Sequence, residues 1–138
     1  MRGRHNIWEL VVHCAYWKYI ARRRLLGEKR GSFALKGSNW FARPAPGRGR
    51  RATLARVTLS TRVARSGPAE EQWRSDLTLL DRTHAELRAA VAGLSSRELG
   101  HTPAGSKVSN FALLSGVAAH DLYHAGQIQL LKRLRAGH

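Results

Sequence analysis

Three histidines lie where their side chains could bind one metal ion. His120 and His124 are four residues apart, and residues at that spacing share one face of a helix. His13 lies in another predicted helix, on an apolar stripe with Leu10 and Trp17 where a core residue would be expected. Three protein nitrogens leave coordination positions open, which is typical of a catalytic metal site. We therefore predict a site of His13, His120 and His124 for a divalent ion; the alternative is three packed histidines without a metal.

The residues around this triplet could support the site or have ordinary structural roles. Neutral imidazole binds Zn, Ni and Fe alike, so the residue types leave the metal open. Asp121 and Gln127 flank the histidine pair and could orient ligands from outside, although both could simply be polar helix residues. His84 is a weaker candidate for a fourth ligand, and we predict a core or boundary position for it. Cys14 is the only cysteine; adjacent residues on a helix point apart, so we expect a buried thiol and not a ligand.

The elements that carry these residues are predicted to be helices. Apolar residues recur at helical spacing in three long segments, 6–26, 69–93 and 108–135. Asn6 and Glu9 suit a capping box at the start of the first segment. The second segment has an apolar stripe, and the third is apolar around more than half of its circumference, which predicts a central position in the fold. The stripe of the second helix consists of Trp73, Leu77, Leu80, His84, Leu87 and Val91.

Length and helix pattern together predict one all-α domain over residues 1–138. The connection between the first two long helices, residues 27–67, is long enough to cross the bundle, so those two helices can run parallel. Within it, residues 54–63 could form a short strand or helix. No apolar run reaches the roughly 18 residues of a membrane helix, and no signal peptide is evident. We therefore expect a cytoplasmic protein with no membrane contact.

The charge of the chain is concentrated in its first half. The formal net charge is +15, and the segment from Arg43 to Arg65 holds seven arginines and no acidic residue. Such a segment could bind nucleic acid through phosphate contacts. It contains no recognised nucleic-acid motif and no aromatic residue, so we favour a solvated basic loop and keep nucleic-acid binding as the alternative.

Two blocks of sequence resemble the DinB-like (YfiT-like) family of small helical metal-binding proteins, which is distinct from the DNA polymerase of similar name. Residues 6–33 (NIWELVVHCAYWKYIARRRLLGEKRGSF) resemble its second helix and the loop that follows, and residues 116–134 (GVAAHDLYHAGQIQLLKRL) resemble its last helix. Residues 73–94 resemble its third helix. The resemblance implies an up-down-down-up four-helix bundle with His13, His120 and His124 as metal ligands. It also implies a metal-dependent enzyme, a thiol-dependent transferase or a hydrolase, acting on a small-molecule or thiol substrate.

The sequence departs from the family pattern at two places. The family's first helix would precede residue 6, so the chain looks truncated at its N-terminus. The basic segment 43–65 matches nothing in the family and resembles an insertion. A bundle without one helix would expose the apolar faces of the others, and such exposure usually drives association. We therefore expect a homodimer, and a non-catalytic, self-associating remnant of the bundle is the main alternative to an enzyme.

Overall fold

The computed structural model describes residues 5–44 and 67–137, and within these two ranges the regular structure is entirely helical. Helix α1 spans Ile7–Leu25, α2 spans Pro68–Ala92, α3 is a single short helix at Ser96–Gly100, and α4 spans Asn110–Ala136. The all-α fold predicted from the sequence is confirmed. The prediction for residues 54–63, and all of the basic segment 43–65 except Arg43 and Pro44, lie outside the described residues.

Helix α1 is the centre of the fold. The predicted capping box is present, since Asn6 accepts from the Glu9 backbone N–H and Glu9 accepts from the Asn6 N–H, both at 3.0 Å. Residues on several sides of the helix are buried because both α2 and α4 pack against it. They are Leu10, Val11, Val12, His13, Cys14, Ala15, Lys18, Tyr19, Ile20 and Ala21.

The prediction that the last long helix would be central is wrong. Helix α4 is apolar around most of its circumference, yet only Asn110, Val117 and His124 are buried. Five large apolar side chains of α4 are instead exposed: Phe111, Leu122, Tyr123, Leu130 and Leu134. Helix α1 takes the central position instead, because its buried polar residues have polar partners, as described below. Those partners are distant in sequence, so hydrophobic periodicity could not reveal them.

Side-chain contacts fix the directions of the helices. Trp8 near the start of α1 contacts Trp73 in the first turns of α2, and Arg22 near the end of α1 lies 3.7 Å from Glu86 late in α2. These two helices therefore run parallel, as a long connection allows. Helix α4 runs the opposite way, because His13 meets His120 whereas the later residue Ala21 of α1 packs in one cluster with the earlier residue Val117 of α4. The three helices meet in an apolar cluster of Ala21, Leu87 and Val117, flanked by Leu25, Val91, Leu113 and Leu114.

The buried face of α2 is rotated from the predicted stripe. Its buried residues are Asp76, Leu79, Thr83 and Leu87, of which only Leu87 belongs to the predicted set. Asp76 is buried because its carboxylate accepts from Trp8 Nε1 at 2.6 Å and forms an ion pair with Arg43. The hydroxyl of Thr83 donates to the Leu79 carbonyl oxygen at 2.9 Å, as a threonine inside a helix often does.

The chain after α1 folds back along that helix as far as Pro44. Phe33 and Phe41 pack against the Tyr16 ring at centroid distances of 5.3 and 5.6 Å, and the Asn6 side-chain amide donates to the Arg43 carbonyl oxygen at 3.0 Å. These contacts bring residues 38–40 beside His13. Among the described helices, none combines the length and apolar character that crossing a bilayer would require.

Candidate metal centre

The structure brings His13, His120 and His124 together at the contact between α1 and α4. The Nε2 atom of His120 lies 2.9 Å from Nε2 of His13 and 3.0 Å from Nε2 of His124. His13 and His124 are buried and His120 is partly exposed. Among the described residues, each of the three offers one ring nitrogen within 4.8 Å of the others. The cluster arises because one helical turn separates the two histidines of α4 and the antiparallel packing places His13 opposite them.

Two of the three rings are held in position through their outer nitrogens. His13 Nδ1 lies 2.8 Å from the backbone oxygen of Asn39, and His124 Nδ1 lies 2.7 Å from Oε1 of Gln127. A carbonyl oxygen can only accept, so each Nδ1 carries the proton and donates it. In the neutral form of each ring, Nε2 is then the acceptor nitrogen and its lone pair faces the cluster. Metal-binding histidines are typically oriented in this way, by donation of the other ring N–H to a carbonyl or carboxylate oxygen.

Hydrogen bonds between the three rings do not account for both of their short nitrogen contacts. His120 Nε2 carries at most one proton, for His13 or for His124, so at least one of the two short nitrogen contacts lacks a hydrogen bond and is repulsive. A cation at the centre removes that repulsion. Two nitrogens bound to one ion at about 2.0–2.1 Å are about 2.9–3.4 Å apart for bond angles between a right angle and the tetrahedral angle. The observed contacts of 2.9 and 3.0 Å fall within that range, so the residues fit a divalent ion.

The protonation states suit the same role. Burial, together with the nearby His124, His13 and Lys18, lowers the pKa of His120 from 6.5 to about 4. Burial also lowers the pKa of His13. Both rings are therefore neutral at physiological pH, which is the form that binds metal ions.

Aromatic rings cover one side of the cluster. The Trp40 ring stacks on His13 with a centroid distance of 3.8 Å and an interplanar angle of 5°, and His5 stacks on Trp40 at 3.5 Å. The Trp17 ring centroid lies 6.3 Å from that of His13 and 5.9 Å from that of His120. Asn39 joins these elements, since its side-chain oxygen accepts from Trp17 Nε1 at 3.1 Å while its backbone oxygen holds His13. Asn39 has a φ of 63°, a conformation that asparagine tolerates better than most residues.

A charged pair lies beside the histidines. Lys18 of α1 is buried, and its ammonium group pairs with Oδ2 of Asp121 on α4. The other carboxylate oxygen of Asp121 and the Nδ1 atom of His120 are both buried without a hydrogen-bond partner among the described residues. Cys14, His120 and Asp121 also offer ligand atoms within 4.8 Å of one another. Cys14 is buried, as expected from the sequence, and burial raises the pKa of its thiol.

The other residues considered from the sequence have distinct positions. Gln127 contacts His124 directly, whereas Asp121 contacts Lys18 rather than a histidine nitrogen. His84 is exposed on α2, so it lies outside the cluster, and the expectation of a core or boundary position for it is wrong. Its helical stripe suggested burial, but α2 is rotated so that the neighbouring Thr83 faces the core.

Sequence reasoning missed two residues that shape the site. Lys18 could have been noticed as a lysine within a segment otherwise expected to be buried, a position where an acidic partner is needed. Asn39 contacts His13 through its backbone oxygen, and a backbone contact cannot be predicted from the residue type. The only local signal was the turn-forming run Gly37-Ser38-Asn39 before Trp40.

The basic segment has a structural role at its first residue. Arg43 donates to the Asp76 carboxylate through Nε at 2.6 Å and Nη2 at 3.1 Å. Its guanidinium is thus engaged by a buried partner rather than presented to a phosphate. Nucleic-acid binding by the remaining residues of segment 43–65 stays a prediction.

Comparison with known proteins identifies the family of the chain. A family model described as the DinB superfamily matches residues 1–128, nearly the whole chain. Searches among curated proteins and among solved structures gave no match.

Proposed function

Because the chain belongs to the DinB superfamily, we propose that it binds one divalent metal ion through His13, His120 and His124 and acts as a metal-dependent enzyme of the thiol-transferase or hydrolase type. The observation that carries the proposal is the close approach of the His120 Nε2 atom to the Nε2 atoms of both His13 and His124, at 2.9 and 3.0 Å. Two of these rings are already oriented by Asn39 and Gln127.

The residues of the proposed site have different roles. His13 and His124 are buried and fixed, so they would hold the ion in place, and the partly exposed His120 leaves the cluster open on its own side. Trp40 excludes water from the face of His13 on which it stacks. A bound divalent ion supplies Lewis-acid chemistry, polarising a carbonyl group or lowering the pKa of a water or thiol. Zn, Ni and Fe all suit three imidazole ligands.

The thiol in a transfer reaction would come from the substrate. Cys14 is the only cysteine of the chain, it is buried, and burial raises the pKa of its thiol. Such a thiol is protonated at neutral pH and a poor nucleophile. We therefore propose a small-molecule thiol as one substrate of a transfer reaction. The alternative reaction is hydrolysis of an ester or amide.

Cobalt substitution tests the metal-binding half of the proposal. Co²⁺ titrated into chelator-treated protein should give visible absorption that saturates near one ion per chain. His120→Ala should abolish the signal, because it removes the nitrogen that contacts both other histidines. His84→Ala is the matched control, since His84 is an exposed histidine outside the cluster. Saturable binding that survives in His120→Ala would contradict the assignment.

Measurement of turnover tests the enzymatic part of the proposed function. Metal-loaded protein is incubated with 2-mercaptoethanol and 1-chloro-2,4-dinitrobenzene for transfer, and separately with 4-nitrophenyl acetate for hydrolysis. The proposal predicts that one reaction is accelerated, that chelation removes the acceleration, and that metal restores it. Equal rates for the wild type and His120→Ala would show that the site is not the catalyst.

A non-catalytic, self-associating bundle remains the second candidate because of one observation. Helix α4 exposes Phe111, Leu122 and Leu130, and Asp121 is the only charged residue between Asn110 and Leu131. Exposed apolar faces of this kind mark interaction surfaces. We propose a second copy of the chain as the partner of this face, so that the expected homodimer buries α4 against α4.

A further inference from the structure

A cavity lies beside the candidate metal centre, between the C-terminal half of α1 and the chain that folds back on it. Its volume is about 620 Å³, within the range of roughly 300–1,000 Å³ typical of small-molecule sites. Its lining contains both aromatic and basic side chains. The aromatic lining residues are Tyr16, Trp17, Tyr19 and Phe33, and the basic ones are Arg23, Arg24, Arg30 and Lys36.

The basic side chains of this cavity have no acidic partner in the described part of the chain. Arg22, which points toward α2, is paired with Glu28 and Glu86. The four basic lining residues form no ion pair with any described residue, and no aspartate or glutamate is among the described residues that line the cavity. Every acidic residue of the chain lies within the described ranges. Four positive charges around one cavity repel one another, so an anion bound there would be favoured.

Arg23 offers an unused hydrogen-bond donor at this place. One of its terminal nitrogens donates to the Glu28 carbonyl oxygen at 3.2 Å. Its Nε atom is buried without a partner among the described residues. A buried donor without an acceptor is unfavourable, so an oxygen of a bound anion would satisfy it.

The apolar side of the cavity is formed by aromatic rings. The Phe33 ring packs against Tyr16 at a centroid distance of 5.3 Å and against Tyr19 at 5.2 Å, and Trp17 lines the side nearer the histidines. Aromatic surfaces of this kind favour planar, apolar ligand groups. We propose that this cavity binds a small organic anion in which a phosphate or carboxylate is attached to a flat apolar group.

Two residues connect this cavity to the metal centre. Trp17 and Asn39 both line the cavity, and Asn39 binds Trp17 through its side chain and His13 through its backbone. A ligand in the cavity would therefore contact the residues that orient His13. The cavity itself consists of α1 and the chain after it, so binding of the anion requires no metal.

The test is equilibrium binding of 1-naphthyl phosphate and 2-naphthoate to the full chain in the presence of a chelator, measured by calorimetry. The chelator separates this proposal from the proposed metal function, because the proposal predicts binding without metal. Comparison of the two probes distinguishes a phosphate from a carboxylate ligand. The uncharged 1-naphthol should bind more weakly than the tighter of the two anions by about tenfold or more, the equivalent of one charge-assisted hydrogen bond.

A pair of double variants localises the binding. Arg30→Gln with Lys36→Gln removes two positive charges from the cavity and should weaken binding of the tighter probe by about tenfold or more. Arg88→Gln with Lys132→Gln removes the same charge from exposed positions on α2 and α4, outside the cavity, and should leave the affinity within about twofold. Equal losses in both double variants would overturn the proposal, since binding would then follow net charge. Binding of 1-naphthol as tight as that of the tighter anion would overturn it as well.

Discussion

The ion pair of Arg43 and Asp76 gives a prediction that links stability to the site. The Asp76 side chain is 4% exposed and that of Arg43 is 10% exposed. The carboxylate accepts two hydrogen bonds from Arg43 and one from Trp8. The pair ties the end of the chain segment that carries Asn39 to helix α2. Asp76→Asn keeps an oxygen for Trp8 but removes the charge, so the Arg43 guanidinium is left without its counter-ion.

The size of the effect follows from burial. Removing one partner of a buried ion pair costs about 3–5 kcal/mol. We expect the low end, about 3 kcal/mol, because Arg43 keeps a hydrogen bond to the Ala42 carbonyl oxygen at 3.1 Å. With a urea m-value of about 2 kcal/mol/M, the unfolding midpoint should fall by about 1.5 M. Urea unfolding followed by circular dichroism measures this shift.

The control is Glu70→Gln, which removes a carboxylate from the exposed pair with Arg74. Its free energy of unfolding should change by less than about 1 kcal/mol. The double variant Arg43→Met with Asp76→Asn should recover most of the lost stability, because it leaves no unpaired charge and keeps an oxygen for the Trp8 N–H. A loss below about 1 kcal/mol in Asp76→Asn would refute the reasoning, since the pair would then behave like one on the surface.

Three further predictions concern the site and the exposed face. Because the pKa of His120 is lowered to about 4, the unfolded chain binds a proton before the folded chain does; the stability of metal-free protein should be greatest above pH 6.5 and fall toward pH 4. Melting curves should show this dependence more strongly in the wild type than in His120→Ala, and identical pH profiles would contradict it. Gln127→Leu should weaken metal affinity by about 10–100-fold, whereas Gln129→Leu, an exposed glutamine on the same helix, should not; equal affinities for the two variants would dismiss the role of Gln127. Leu122 is 75% exposed, so Leu122→Lys should shift sedimentation from dimer to monomer, and a monomeric wild type would argue against the homodimer.

The sequence alone was sufficient to predict the three long helices and the close approach of the three histidines. The i, i+4 spacing of His120 and His124 places them on one face whatever the surroundings, and His13 stood out as a polar residue on an apolar stripe. The capping box of Asn6 and Glu9 was also readable, because it depends only on local spacing.

The sequence was insufficient wherever a polar residue is buried by a distant partner. Asp76 is in the core because Arg43 and Trp8 bind it, so the buried face of α2 is turned away from the apolar stripe that would place His84 inward. Lys18 is buried because Asp121 on another helix pairs with it. The backbone oxygen of Asn39 belongs to the same class, since its contact with His13 depends on how the chain folds back.

Metal content tests most directly the proposal that three histidines hold one metal ion. Purified wild-type protein, His124→Ala and the control His84→Ala are loaded with metal, freed of excess and analysed by elemental mass spectrometry. We expect close to one divalent ion per chain in the wild type and in His84→Ala, and almost none in His124→Ala. A folded wild type without metal, or the same metal content in all three proteins, would contradict it.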